Sequence, residues 1–185
     1  RRGEIVGVTG LDGNGQDDFV KILAGVQESH GGTTEVLDSN DKFVKFNSLM
    51  EAKNNGVSFV SGDRKKEGIL PNLSIYENLV VPLYKKTSRG GFLGFVDWLE
   101  LNGIFDWEVD RLSIKTGPRD NLIGSLSGGN QQKVMIARSF AQHPKVLILN
   151  DPARGIDVST KRDLYAHLRN YVEEGNTVVF LSSEL

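Results

Sequence analysis

Short apolar runs rich in β-branched residues recur along this chain, separated by stretches with a helical period. They lie at residues 4–9, 33–37, 43–46, 57–61, 145–149 and 178–181. The run at 145–149 is almost continuously apolar, which is typical of a strand buried on both faces of a parallel sheet. Strand runs that alternate with helical stretches indicate an α/β fold.

The middle of the chain has a different pattern. From residue 74 to about residue 116 the apolar spacing is helical and strand runs are absent. Ser74, followed three residues later by Glu77, has the spacing of a capping box at a helix start. Residues 90–99 are rich in glycine and aromatic side chains. Two interpretations of that segment remain open, packing inside a small helical subdomain or an exposed patch that contacts another protein.

A glycine-rich loop follows the first strand run. Gly10 and Gly15, with Gly13 between them, have the glycine spacing of the phosphate-binding motif G-x-x-x-x-G-K-[ST]. The loop is preceded by a strand run and followed by a helical stretch that ends at Gly25. Backbone N–H groups of such a loop can bind phosphate oxygens.

The two residues that give this motif its chemistry are replaced. Gln16 stands in the place of the lysine and brings no positive charge to a phosphate, and Asp17 stands in the place of the metal-binding hydroxyl. Asp18 adds a second carboxylate, and acidic groups at a helix N-terminus both stabilise it and compete with a bound polyphosphate. The loop is therefore either a strand-to-helix turn or a nucleotide site that keeps its backbone cradle and lacks its charges.

A second glycine pair predicts a helix start that faces an anion. Gly128 and Gly129 follow Ser127 and precede Asn130 and an amphipathic run, so the backbone can approach a ligand and the first N–H groups of the helix remain free. Taken alone, the same residues are also compatible with a flexible turn before a helix.

The order of these features resembles the ATP-binding-cassette (ABC) ATPases. Residues 126–130 are similar to the Leu-Ser-Gly-Gly-Gln signature of that family, with Asn130 in the fifth place, and they lie between the glycine loop and a strand with an acidic end. In more detail, the chain resembles the C-terminal cassette of the tandem ATPase subunits of ribose, galactose and nucleoside importers. The segments that carry this closer resemblance are residues 7–11, 61–65, 126–133, 153–158 and 182–185.

The resemblance implies the architecture. We expect an α/β, P-loop NTPase core of the ABC-ATPase type, with a mostly parallel sheet, a small antiparallel β portion and an inserted helical subdomain. The core should comprise residues 1–73 and 144–185, and the helical subdomain with the signature residues 74–143. Because the chain begins and ends on strand runs, we interpret it as an excised piece of a longer polypeptide. The resemblance implies that this polypeptide carries two cassettes in tandem.

The resemblance also marks where the chain departs from the family at its own nucleotide site. Asn150 stands where the family has the Mg²⁺-binding aspartate, and Asp151 where it has the catalytic glutamate. Gly62 replaces a glutamine that senses Mg²⁺ and the attacking water, and Ser183 replaces the histidine that contacts the γ-phosphate. Asp151 and Ser183 are thus weakened catalytic substitutes, and Asn150 with Asp17 would be a weak metal site.

The remaining ligands follow from the same resemblance, which implies ATP or ADP and Mg²⁺ with weak affinity at the chain's own site. The expected nucleotide-binding residues are Gly10, Asp12, Gly13, Asn14, Gly15, Gln16, Asp17 and Asp18. The expected contacts to a partner cassette's ATP are Ser127, Gly128, Gly129, Asn130 and Gln131, with Asp157 at the cassette interface.

Composition limits the partners. Lysine and arginine number 22 against 24 aspartates and glutamates, so no basic field favours nucleic acid. Cysteine is absent, which excludes disulfides and thiolate metal sites, and no apolar run approaches the length of a membrane span. The resemblance implies as partners the N-terminal cassette of the same subunit and a membrane permease, with the chain at the cytoplasmic face of the cell membrane. The rival hypotheses are an active soluble ABC-type ATPase and a regulatory or structural module without nucleotide.

Overall fold

The computed structural model describes residues 1–11, 13–38, 42–84, 88–89 and 95–183. Its helices and strands in chain order are β1 (Ile5–Val8), α1 (Gln16–Leu23), β2 (Glu35–Leu37), β3 (Phe43–Lys45), α2 (Leu49–Asn54), β4 (Val57–Val60), α3 (Ile75–Val80), β5 (Ser88–Arg89), β6 (Phe95–Val96), α4 (Trp98–Arg111), α5 (Gly128–Phe140), β7 (Val146–Asn150), α6 (Val158–Glu173) and β8 (Thr177–Leu181). The chain divides into two compact units, residues 1–62, 144–154 and 165–185 in the first, and residues 63–143 and 155–164 in the second.

The first unit is built on a four-stranded parallel sheet. Its strand order is β1-β8-β7-β4, so β7 pairs with a neighbour on each side. Leu147, Ile148 and Leu149 of β7 are fully buried, which confirms the parallel strand predicted from the apolar run. The four parallel strands direct their carboxyl ends to the same edge of the sheet.

The core beside this sheet is closed by α1 and α2. Val20 and Ala24, on and just after α1, are completely buried together with Ala52 of α2 and Ile148 of β7. The strands β2 and β3 form a separate antiparallel pair, which is the small antiparallel portion expected from the resemblance. Phe46, directly after β3, joins the same buried cluster.

The second unit is mainly helical. Ser74 caps α3 by accepting a hydrogen bond from the Glu77 backbone, and the Glu77 carboxylate accepts one from the Ser74 backbone, so the predicted capping box is confirmed. Helix α5 packs against α3 and α4 and buries Ile136 and Phe140 completely. Among the described residues, no helix has the length and apolar character needed to cross a membrane.

One prediction for this unit is wrong. The sequence pattern predicts no strands between residues 74 and 116, but β5 and β6 form a short antiparallel pair there. Two residues per strand are too few to produce a period-two pattern, so pairing of the main chain decides this element. Residues 90–94 of the aromatic segment lie outside the described residues, whereas Trp98 and Leu99 are exposed.

Gly25, two residues after the last residue of α1, provides a test of how closely the backbone is packed at the end of that helix. It has φ +71°, and a Cβ atom built on it would lie 2.7 Å from the backbone carbonyl carbon and oxygen of Ser48. Gly175 has φ +91°, and no atom of the residues that the structure describes lies within 4 Å of such a Cβ. We expect Gly175→Ala to lower the free energy of unfolding by about 1 kcal/mol through backbone strain. Gly25→Ala should lower it by roughly 1–3 kcal/mol more because of the backbone clash. Urea unfolding followed by circular dichroism measures both, and equal losses would contradict this account.

Candidate functional site

The glycine loop joins β1 to α1 in the conformation that its glycines permit. Gly13 has φ +86°, and Gly15, the residue before α1, has φ +84°. Both values lie in the left-handed region that side chains disfavour, so the glycines at these two positions are explained by the backbone. Asp12, which the sequence suggested as a nucleotide contact, lies outside the described residues. Among the described residues, no side chain caps the N-terminus of α1.

Gln16 folds back across this loop. Its Nε2 donates a hydrogen bond of 2.8 Å to the carbonyl oxygen of Leu11. Its Oε1 is buried, has no hydrogen-bond partner among the described residues, and lies 3.6 Å from the place where a Cβ on Gly10 would be. The side chain therefore uses its donor on the loop itself and presents an acceptor to the interior. Phosphate oxygens need donors, so this geometry opposes phosphate binding.

Asp17 is held by two donors. Asn150 Nδ2, at the end of β7, donates a hydrogen bond of 2.6 Å to Asp17 Oδ1, and Lys21 Nζ lies 2.6 Å from Asp17 Oδ2. Burial raises the pKa of Asp17, but the hydrogen bonds from Lys21 and Asn150 and the charge of Lys21 outweigh it and leave the pKa below its ordinary value. Asp17 is therefore ionised at neutral pH. The two residues that the sequence suggested as weak metal ligands contact each other directly.

Asp151 and Ser183 also meet. Ser183 Oγ donates a hydrogen bond of 2.5 Å to Asp151 Oδ2, and the Asp151 backbone N–H donates to the carbonyl of Leu181 in β8. Asp151 is 8% exposed and has φ +45°, an uncommon backbone conformation for an aspartate. The parallel pairing of β7 with β8 brings these residues together, although 32 positions separate them in the chain.

Gly62, which follows β4, lies close to the backbone of Asn150. A Cβ at position 62 would be 2.8 Å from the Asn150 carbonyl oxygen. The sequence identified Gly62 as a missing glutamine, and the structure adds that no side chain fits there without a backbone shift.

The signature residues form the start of α5. Ser127 precedes the helix, and its Oγ accepts hydrogen bonds from the Asn130 backbone at 3.4 Å and from Asn130 Nδ2 at 3.1 Å. Asn130 Oδ1 accepts a further bond of 3.0 Å from the Lys115 backbone, which fixes the orientation of its amide. Ser127 is exposed, and the first turn of α5 contains no acidic residue. This helix N-terminus is open to an anion.

Both signature glycines have close neighbours that sequence reasoning missed. A Cβ on Gly128 would lie 2.9 Å from a guanidinium nitrogen of Arg64, and one on Gly129 would lie 3.2 Å from Cγ2 of Thr160. Arg64 belongs to a short π-helical turn, residues 64–68, that packs against α5. Neither neighbour was predictable, because no sequence pattern places residues so distant in the chain against a helix start.

Two further predicted residues have local roles. Gln131 Nε2 donates a hydrogen bond of 3.0 Å to the carbonyl of Leu126, which fixes the segment before α5. Asp157 accepts hydrogen bonds from the backbone and the hydroxyl of Thr160 at 2.9 and 2.7 Å and so caps α6. The same two bonds, the backbone bond first, lower the pKa of Asp157. The described part of the chain contains no cluster of three or more histidines and carboxylates suited to a metal.

Comparison with known proteins identifies the family. The family model described as ABC transporter matches residues 1–154. The chain belongs to the ABC transporter family. This cassette is 38% identical over 186 residues to the ribose import ATP-binding protein RbsA of a Bacillus cereus strain, with 100% of the chain and 36% of the relative covered. It is 36% identical over 185 residues to the galactose/methyl galactoside import ATP-binding protein MglA of Mannheimia succiniciproducens, with the same coverage of 100% and 36%. The cassette thus spans about a third of the length of these curated relatives.

Solved structures share the fold of this cassette. The ATP-binding cassette MJ0796, in a dimeric post-hydrolysis state bound to ADP and Pi, aligns with a TM-score of 0.80 and 25% identity and covers 100% of the chain and 76% of that structure. A nucleotide-free cassette from an ABC transporter aligns with a TM-score of 0.78 and 18% identity, covering 100% and 72%. The α/β fold and the family predicted from the sequence are confirmed.

The contact between Gly62 and Asn150 can be measured. We expect Gly62→Ala to lower the free energy of unfolding by about 1–3 kcal/mol, because the added methyl group meets a backbone oxygen that cannot rotate away. Gly31→Ala is the matched control, since a Cβ there meets no atom of the described part of the chain within 4 Å and its φ is not positive. Urea unfolding followed by circular dichroism gives both free energies of unfolding. A decrease for Gly62→Ala no larger than that for Gly31→Ala would show that a methyl group fits between the strand ends.

Proposed function

We propose that this ABC cassette contributes its signature helix to an ATP held by another cassette and hydrolyses little ATP at its own glycine loop. The observation that carries the proposal is the contrast between the two sites. At the own site, the polar side chains are engaged within the protein: Gln16 donates to the backbone carbonyl of Leu11, Asn150 donates to Asp17, and Ser183 donates to Asp151. At the signature, Ser127 is exposed, and its hydroxyl, which accepts hydrogen bonds from Asn130, keeps its own proton to donate to a phosphate.

The own site lacks the charges that phosphoryl transfer requires. Catalysis of this reaction is mostly positioning and electrostatic stabilisation, so the absence of a lysine at position 16 should reduce the rate by orders of magnitude. Asp151 is a shorter carboxylate than the family's glutamate and already accepts the Ser183 hydroxyl. The backbone N–H groups between Gly13 and Gly15 remain, which supports weak binding of ATP or ADP.

The signature segment, by contrast, presents groups that can contact a triphosphate. Free N–H groups at the start of α5, the positive end of the helix dipole and the exposed Ser127 hydroxyl form a surface that can meet a triphosphate. We assign Ser127, Gly128, Gly129 and Asn130 to the partner's ATP, and Asp157 to the interface between cassettes.

The partners follow from the relatives. The curated relatives are import ATP-binding proteins about three times as long as this chain. We propose that the chain is the C-terminal cassette of such a polypeptide, that its N-terminal cassette is the partner, and that the pair drives sugar import through a permease at the cytoplasmic face of the membrane. The balance of 22 basic and 24 acidic residues favours no nucleic acid.

A groove in the second unit supports the contact with a permease. It has a volume of about 560 Å³, and its lining includes Tyr76, Tyr84 and Trp98 together with Asn102 and Arg119. Tyr84 and Trp98 make an edge contact with ring centroids 6.1 Å apart, and Trp98 is 57% exposed. Exposed aromatic residues beside polar groups are common at protein interfaces.

The role of the signature can be tested by mixing this cassette with the N-terminal half and measuring ATP hydrolysis. We expect Ser127→Arg to lower the rate at least tenfold, because a long side chain fills the space above the helix start. Ser127→Asp keeps a capping oxygen and adds a charge that repels phosphate, so we expect a similar loss with an unchanged melting temperature. Ser29→Arg, on an exposed loop of the first unit, is the control of equal size and charge. Full hydrolysis by both Ser127 variants would refute the assignment.

The state of the own site can be tested by calorimetry with MgATP. The triple variant Gln16→Lys, Asp17→Thr, Asn150→Asp restores the phosphate-binding lysine and the metal-binding pair of the motif. We expect it to bind MgATP at least tenfold more tightly than the native cassette, because the backbone cradle is already formed. An unchanged heat of titration would favour the rival hypothesis of a structural module without nucleotide.

A further inference from the structure

The residues at the metal position of the chain's own nucleotide site do not fit Mg²⁺. The family implies this ion between the start of α1 and the end of β7, where Asp17 and Asn150 lie. Both oxygens of Asp17 already accept hydrogens from nitrogens at 2.6 Å. Because an ionised carboxylate can only accept, Asn150 must direct its amide nitrogen, and not its carbonyl oxygen, at Asp17. Mg²⁺ requires oxygen ligands at 2.0–2.1 Å in octahedral geometry, and the groups beside the Asp17 oxygens, an amide nitrogen and an ammonium, supply no such ligand.

Compared with the ordinary motif, the carboxylate at this position lies on the helix instead of on the strand. The ordinary motif has a hydroxyl on the helix and a carboxylate on the strand, whereas this chain has Asp17 on α1 and a neutral Asn150 on β7. The exchange has a geometric consequence. A carboxylate at position 17 lies one helical turn before Lys21, on the same face of α1, so the two side chains can pair directly.

The Lys21 ammonium lies where it can take the place of a metal cation beside Asp17. Its side chain is 27% exposed, and its ammonium lies 2.6 Å from Asp17 Oδ2 while the strand residue holds the other oxygen. An isolated pair of this spacing on a helix surface contributes little. This pair differs because a third residue from the central strand of the sheet fixes the carboxylate in place. The ammonium neutralises the Asp17 carboxylate, and a divalent ion at that carboxylate would be repelled by the positive charge already there.

We propose that the Lys21 ammonium is the resident cation of this site, so that the own glycine loop takes no divalent metal and any nucleotide it accepts is bound metal-free. The inference rests on the proposed function only in treating the loop as the chain's own nucleotide site.

The test uses Mn²⁺ alone as the probe, titrated into the chain and followed by electron paramagnetic resonance. We expect Lys21→Met to bind Mn²⁺ at least tenfold more tightly than the native chain, because Asp17 then lacks its ammonium. Lys21→Arg keeps the positive charge and should behave like the native chain. Lys53→Met, on the exposed side of α2, is the matched control and should bind Mn²⁺ no more tightly than the native chain. The double variant Lys21→Met, Asp17→Asn should lose the gain, which would locate the metal at Asp17.

Three results of this titration series would overturn the proposal. They are an affinity of Lys21→Met for Mn²⁺ equal to that of the native chain, a gain that persists in the double variant, and tight native binding of Mn²⁺ that the control variant retains. If Lys21→Met does not fold, the native chain still decides the question. A tenfold tightening of fluorescent ADP binding by Mg²⁺ over EDTA, or tight Mn²⁺ binding without nucleotide, would refute the proposal. These measurements do not involve Ser127, so failure here and failure of the signature assignment are distinguishable.

Discussion

The position of β7 in the sheet is the constraint on which the candidate site depends. Because β7 pairs in parallel with both β8 and β4, the residues after these three strands meet at one edge. Asn150 thereby comes beside Gly62, and Asp151 beside Ser183. The almost fully apolar sequence of β7 buries the strand and fixes its register, so the polar residues at its end cannot shift without loss of core packing.

The same strand arrangement explains why the polar residues at the glycine-loop site bond to one another. The residues at the ends of these strands and at the start of α1 lie close enough to bond with each other. Asn150, Asp17 and Lys21 form one connected set, and Asp151 with Ser183 forms another. The start of α5 has no equivalent closure, because its capping bonds run between Ser127 and Asn130 and leave the helix N-terminus open.

The sequence predicts much of the fold because strand and helix signals here are local. The apolar run of β7, the capping box at Ser74 and the glycine spacing before α1 each depend on a few neighbouring residues. The contacts that define the site are not local, since Asn150 meets Asp17 across 133 positions. The direction of the Gln16 side chain depends on whether its amide finds a partner within the loop, which residue type alone does not determine. Arg64 and Thr160, which crowd the signature glycines, were missed for the same reason.

The close approach of Gly62 to the Asn150 carbonyl limits which residues position 62 can hold. A Cβ there would lie 2.8 Å from a main-chain oxygen, which cannot move aside as the end of a flexible side chain can. Any larger residue would need a coordinated displacement of the ends of β4 and β7. The identity of this residue is therefore coupled to the spacing of the two strand ends, and engineering a polar side chain into position 62 would require redesign of the backbone around it.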